Sequence, residues 1–313
     1  MKKSFIQYLV EEEGQKPNFA PCIKNLTRCL TDNTYLFRGS DSPPSFGEKE
    51  KRESRNSLTN SNMVMNFTSL YAEHLPSRKK SFFATNSIHN AYDFGDAVVL
   101  VPHDEVTKFA SIPNDFNLQE NEVLEEIRRG WNLSGLGFTL AVAIRDFNED
   151  LNTDESRKLY AISTKITHET EVSKADFEEY SKCFADFFSS ERLKQIPSED
   201  IGYDERLAMF VWEVVSGKYD GDFLRFLKAA FNAGHNGVEV TSFEEMLKRI
   251  TSSDELFEIW FEGKCSFFSI AWLNQKYAEF SEDGEGDFIE EANDEEDIRL
   301  EISEVFKHLL SKS

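Results

Sequence analysis

The apolar positions of this chain change period along its length. In the first third they fall in short runs bounded by turn residues. TYLFRGS (34–40), KSFFATNS (80–87) and DAVVLVP (96–102) are compact runs rich in aromatic and β-branched residues and read as strands, the last closed by Pro102. Between them the spacing predicts short helices over 3–10 and 19–30, separated by a break at Gly14 to Pro17, and over 66–75, stopped by Pro76. A further short helix over 89–95 is closed by Gly95. Residues 40–62, with two prolines and many serines, read as a loop.

The middle of the chain turns helical. Amphipathic periodicity predicts helices over 118–131, 174–196, 204–215, 221–234 and 242–250, with Gly234 as a C-cap. The runs 137–147 and 157–166 fit helix or strand equally. The period then returns to that of a sheet. ELFEIWFEGKCSFFSI (255–270) holds two aromatic runs joined by Glu262-Gly263-Lys264, a hairpin signal. Strands, then helices, then strands imply an α+β protein whose sheet is built from both ends of the chain. No internal repeat interrupts this order.

Charge sharpens the picture. The chain of 313 residues has room for one large domain or two ordinary ones, and its 28 Phe, 9 Tyr and 4 Trp supply a real core. The net charge is −22, which excludes binding nucleic acid through uniform positive charge. Residues 1–110 are nearly balanced at +1, and residues 111–313 carry −23. A site for an anionic ligand therefore belongs in the front third, where Arg38, Lys49, Lys51, Arg52, Arg55, Arg78, Lys79 and Lys80 cluster. Residues 282–297 are the opposite extreme: ten of the sixteen are acidic, which predicts a solvated linker. The apolar spacing after it, 298–310, predicts a helix, either docked on its own core or tethered for a partner.

No run of 18 apolar residues predicts a membrane span, and the N-terminal apolar run is too short for a signal peptide. Cys22, Cys29, Cys183 and Cys265 form no metal or redox spacing, so reduced thiols and a cytoplasmic location are expected. Gly135-Leu136-Gly137 lacks the third glycine of a dinucleotide loop, and no phosphate-loop, zinc-protease or serine-hydrolase motif is present. No metal is expected.

Three segments remain. The first is Tyr35-Leu36-Phe37-Arg38-Gly39. The second is Ser81-Phe82-Phe83-Ala84-Thr85-Asn86-Ser87, followed by Ala91, Phe94-Gly95 and VVLVP. The third is Phe257-Glu258-Ile259-Trp260-Phe261. Together they resemble the ADP-ribosyltransferase superfamily: its first strand with an arginine, its Ser-Thr-Ser strand with the helix and strand that follow, and its late strand bearing the catalytic glutamate. Arg52 and Arg55 stand where bacterial and phage-related members carry an arginine-containing loop.

The resemblance implies a split mixed or antiparallel sheet formed by 31–117 and 251–280, a mostly helical insertion over 118–250, an N-terminal helical segment over 1–30, and an acidic linker with a C-terminal helix over 281–313. It implies NAD as the donor of ADP-ribose. Glu258 would stabilise the oxocarbenium-like ribose, as in glycoside cleavage. Arg38, with Gly39 beside it, would grip the diphosphate or ribose through paired donors, helped by Arg52 and Arg55. Thr85 and Ser87 would bond the nicotinamide pocket or the glutamate, and Tyr92 or Phe94 would stack on the nicotinamide ring.

The sequence departs from the family at two places. Ala84-Thr85-Asn86 replaces Ser-Thr-Ser, so Ser81 or Ser87 would have to supply the missing hydroxyl. Leu256 stands where arginine-modifying relatives carry a second glutamate, which turns the expected acceptor from arginine toward nucleic acid, RNA before DNA, and only then protein. Bacterial relatives of this size imply a toxin of a toxin–antitoxin or phage-defence system, with an antitoxin as partner and the helical insertion serving target recognition or neutralisation. The rival readings are an NAD glycohydrolase that uses water, and a non-catalytic acidic module that binds a partner protein.

Overall fold

The structure, a computed structural model, describes residues 16–49, 62–116, 119–169, 171–190, 193, 201–232, 236–280 and 294–312. The expected helix over 3–10, the residues Arg52 and Arg55, and Gly234 lie outside the described residues. In chain order the elements are a 3-10 turn (Ala20–Cys22), α1 (Ile23–Asp32), β1 (Leu36–Ser40), β2 (Phe46–Lys49), α2 (Asn62–Tyr71), β3 (Phe82–Thr85), α3 (Ile88–Tyr92), β4 (Asp96–Pro102) and β5 (Phe109–Pro113). The helical stretch holds α4 (Glu122–Glu125), α5 (Leu133–Leu151), α6 (Asp154–His168), α7 (Lys174–Phe188), α8 (Tyr203–Lys218) and α9 (Phe223–Ala230). The chain closes with β6 (Glu239–Thr241), α10 (Phe243–Thr251), β7 (Phe257–Phe261), β8 (Cys265–Ser269), α11 (Ile270–Ala278) and α12 (Glu295–Ser311).

The protein is α+β, with an eight-stranded sheet in the order β2-β8-β4-β1-β3-β7-β5-β6. Antiparallel pairing joins β4 to both β1 and β8, β2 to β8, and β3 to β7. The junction of β1 with β3 rests on one pair, Phe37↔Thr85. The hairpin expected over 255–270 does not form. Both strands are there, but β7 and β8 stand four places apart in the sheet. Four strand spacings of a flat sheet are roughly 19 Å. The link from Phe261 to Cys265 spans at most about 14 Å. The sheet therefore cannot be flat between these two strands. Gly263, with φ +132°, bends the chain between the two runs, but the four antiparallel pairings that lead from β7 through β3, β1 and β4 to β8 make the two strands run the same way in the sheet, and each run pairs with strands from the front of the chain.

Strands from across the sheet contribute to a common core, and β4 is buried on both faces. Phe37, Val99 and Phe268 come from β1, β4 and β8, and Phe82, Ile259 and Phe261 from β3 and β7. Leu26, Met246, Leu273, Ile302 and Phe306 join them from α1, α10, α11 and α12. The C-terminal helix thus docks on its own core. Its first turn, Glu295 to Asp297 behind the cap Asp294, belongs to the acidic block expected to be linker. Carboxylates there meet the positive end of the helix dipole, so they extend the helix instead of repelling it apart.

The chain separates into two compact units, residues 1–51, 82–111 and 241–313, and residues 52–81 and 112–240. The expected insertion at 118–250 is therefore shifted. Its end, α10, belongs with the sheet, and α2, expected within the front core, belongs to the helical unit. The two ambiguous runs are helical, and the helix expected over 118–131 is reduced to the single turn α4. Within 40–62, expected as loop, β2 forms an edge strand on β8. The second unit is packed by aromatic stacking, with Phe184 against Phe223 at 3.8 Å between ring centroids. Arg78, counted above with the basic cluster, is buried in this unit with its guanidinium 4.9 Å from the centre of the Phe116 ring.

Among the described residues no helix is long and apolar enough to cross a membrane, and no group of three or more side chains is placed to hold a metal ion. The four cysteines are free. Burial pushes the Cys22 and Cys29 thiols up, which keeps them protonated and inert.

Candidate active site

The three strands singled out in the sequence are consecutive neighbours: β1 with Arg38, β3 with Thr85 and β7 with Glu258. Thr85 lies directly opposite Glu258 across the β3–β7 ladder. Directly opposed residues of an antiparallel pair hold their Cβ atoms about 5 Å apart. These two positions are 173 residues apart in sequence, and only the closing of the sheet by both chain ends brings them together.

Alternation along each strand decides which side chains share a face. On β7, Phe257, Ile259 and Phe261 enter the core, so Glu258 and Trp260 take the other face. On β3, Phe82 and Ala84 enter the core, so Phe83 and Thr85 take the other face. Phe83 stacks on Trp260 with ring centroids 6.3 Å apart, which fixes these two on one side. On β1, Tyr35 and Phe37 turn to the core, where the Tyr35 ring meets Phe306. Phe37 is nevertheless the residue paired with Thr85, so what links Arg38 to β3 is its Nη1, which donates to the Phe83 carbonyl at 3.3 Å. A buried threonine and a half-buried carboxylate thus share the face of a Phe–Trp stack, with a half-buried arginine on the neighbouring strand. Glu258 Oε1 is shielded from solvent.

The segment after β3 closes against this end of β1. Ser87 caps α3 by accepting from the Asn90 amide. The helix ends against Gly39, where a Cβ would lie 2.3 Å from the Ala91 carbonyl oxygen and 2.5 Å from the Phe94 carbonyl carbon. Glycine at 39 is a condition of this close approach. Tyr92 and Phe94 stay out of the core, at 44% and 70% exposure, so both rings are accessible to a ligand beside the Arg38 strand.

One expected role changes. Ser87 Oγ is engaged at the helix cap and donates to Glu295 of α12, so it does not supply the hydroxyl missing from the triplet. Ser81 is fully buried. Thr85 Oγ1 accepts from the Ser87 amide at 3.2 Å, and a hydroxyl that accepts keeps its own proton to donate. Three residues of the site were missed in the sequence. Phe83 and Trp260 form its aromatic wall, and period-two alternation on the two strands was the signal that could have found them. Asn86 is the third. Its side chain bonds the start of β7, a long-range contact that no local pattern announces.

Comparison with known proteins finds no matching family model, curated protein or solved structure.

Proposed function

We propose that this protein is an NAD-dependent ADP-ribosyltransferase. The observation that carries the reading is the adjacency of the Arg38, Thr85 and Glu258 strands, with Thr85 paired to Glu258. The donor set suits the substrate. A guanidinium can bind a diphosphate through paired N–H groups, exposed rings can stack on a flat heterocycle, and a shielded carboxylate can face a growing positive charge.

In the proposed reaction the bond between the nicotinamide nitrogen and ribose C1 breaks, and its electron pair leaves with nicotinamide. C1 becomes oxocarbenium-like, with Glu258 stabilising the charge near C1 and the adjacent hydroxyl. A nucleophile of the acceptor then bonds C1 and loses its proton. Glu258 Oε1 is shielded from solvent, which strengthens the attraction of the carboxylate for the ribose cation.

Arg38→Lys is expected to weaken NAD binding about tenfold, the loss of one charge-assisted hydrogen bond at the low end of its range. Titration calorimetry on the two forms checks this, and equal affinities would remove Arg38 from the site.

The acceptor we infer is nucleic acid, RNA before DNA. Leu256 offers no carboxylate to steer an arginine acceptor. The front third of the chain is electrically balanced despite the acidity of the rest, and screening over about 8 Å at physiological salt lets the local site decide. Exposed Tyr92 and Phe94 give an unstacked base a surface to pack on. The protein incubated with labelled NAD and cell lysate should yield label that survives protease and disappears with nuclease. Label in a discrete protein band would redirect the acceptor to protein, and free ADP-ribose without any macromolecular label would make the protein a hydrolase. As a bacterial toxin-type enzyme it would act in a toxin–antitoxin or phage-defence setting with a neutralising partner.

A further inference from the structure

The carboxylate of Glu258 is only as well placed as the strand that bears it, and β7 begins one residue earlier, at Phe257. Asn86 reaches that point from the end of β3. Its Oδ1 accepts from the Phe257 amide at 2.8 Å, and its Nδ2 donates to the Glu255 carbonyl at 2.9 Å. One side-chain amide therefore satisfies a donor and an acceptor that flank residue 256. It does so as a planar two-point clamp at a buried residue. A serine at this position has one short hydroxyl and cannot span both groups, which gives the departure Ala84-Thr85-Asn86 a physical meaning.

The clamp is itself held. Arg299 of α12 donates through Nη2 to the Asn86 carbonyl at 2.6 Å, and the same nitrogen lies 3.2 Å from Glu295 Oε2. The other oxygen of Glu295 accepts from Ser87 Oγ. The first turns of the C-terminal helix thus grip two consecutive residues, Asn86 and Ser87, between the Thr85 strand and α3. Buried Ile298, Ile302, Val305 and Phe306 fix the helix to the core below.

We propose that Asn86 is a positioning residue: it sets the height and direction of Glu258 by fixing the entry of β7, and α12 holds it in place through Arg299 and Glu295. The proposal rests on the transferase reading for its catalytic consequence. The clamp itself does not depend on that reading. A displacement of about 1 Å in a catalytic group costs up to about a hundredfold in rate. Asn86→Ala should lower kcat for nicotinamide release about tenfold to a hundredfold while KM for NAD stays within about threefold, because Arg38 is untouched. Asn86→Asp keeps the acceptor for the Phe257 amide, loses the donor to Glu255 and should fall between. Arg299→Ala should act in the same direction, more weakly.

The test pairs NAD cleavage with amide hydrogen exchange, both measured well below the melting temperature of every variant. Ile302→Val serves as a control that loosens the α12 core without touching the clamp. The expected result is faster exchange over 256–261 and reduced kcat in Asn86→Ala, with the control unchanged in kcat. Unchanged exchange over 256–261, or a kcat loss equal to that of the control at matched stability, would overturn the proposal. Wild-type protein that releases no nicotinamide, together with β7 exchange raised in Asn86→Ala, would remove the transferase reading and leave the clamp supported.

Discussion

Glu258→Gln should keep the fold and lose at least about two orders of magnitude of nicotinamide release. Removing one group aimed at a developing charge typically costs 10²–10³ in kcat. The substitution preserves shape, so the Thr85↔Glu258 pairing and the neighbouring Phe83–Trp260 stack should stay as they are. What changes is the charge. A neutral amide offers a dipole where the oxocarbenium-like ribose needs an anion, and for an oxygen shielded from solvent that difference is large. The binding of NAD should change less than the rate, since the positive charge passes from the nicotinamide ring to the ribose, where Glu258 acts on it, only in the transition state. Nicotinamide release assayed against time, with calorimetry for affinity, checks both halves. An unchanged rate would remove Glu258 from the chemistry and with it the proposed function.

The strands that carry this site were legible because each is short, aromatic and bounded by turn residues. DAVVLVP is found as the strand Asp96–Pro102, and the two runs of 255–270 lie at Phe257–Phe261 and Cys265–Ser269. Their partners were not legible. Aromatic runs separated by three residues read as a hairpin, because local spacing carries no information on which distant strand completes the ladder. β5 also escaped notice. FASIP is five residues long, lacks alternation and is buried at four of its five positions, so it gives no period-two signal. At the site, Arg38, Thr85 and Glu258 could be singled out by type and order, whereas Asn86 could not. Its role depends on a contact across 171 residues. The same limit applies to Glu295 and Arg299. They lie in or beside the most acidic stretch of the chain, which composition alone reads as solvated.

Gly39→Ala tests whether β1 and the end of α3 form one unit with the site. An added Cβ would meet the Ala91 carbonyl oxygen at 2.3 Å, the Phe94 carbonyl carbon at 2.5 Å and the Phe94 Cβ at 2.7 Å. None of these is the far end of a flexible side chain, so rotamer changes cannot relieve the overlap. Either β1 pulls away from β4, breaking the Gly39↔Ala97 register, or the end of α3 lifts off. Overpacking of this kind costs about 1–3 kcal/mol and more where backbone must move, so about 3 kcal/mol is expected here. Gly217, inside α8, is the internal comparison: a Cβ there meets nothing within 4 Å. Gly217→Ala should be neutral or stabilise by up to about 1 kcal/mol through helix propensity. Chemical denaturation of both variants measures the contrast. Gly39→Ala should also weaken NAD binding beyond its effect on stability, because Tyr92 and Phe94 move with the helix end relative to Arg38. Wild-type stability in Gly39→Ala would mean that α3 does not pack against β1 as described, and wild-type NAD affinity in a destabilised variant would take the Tyr92–Phe94 corner out of the binding site.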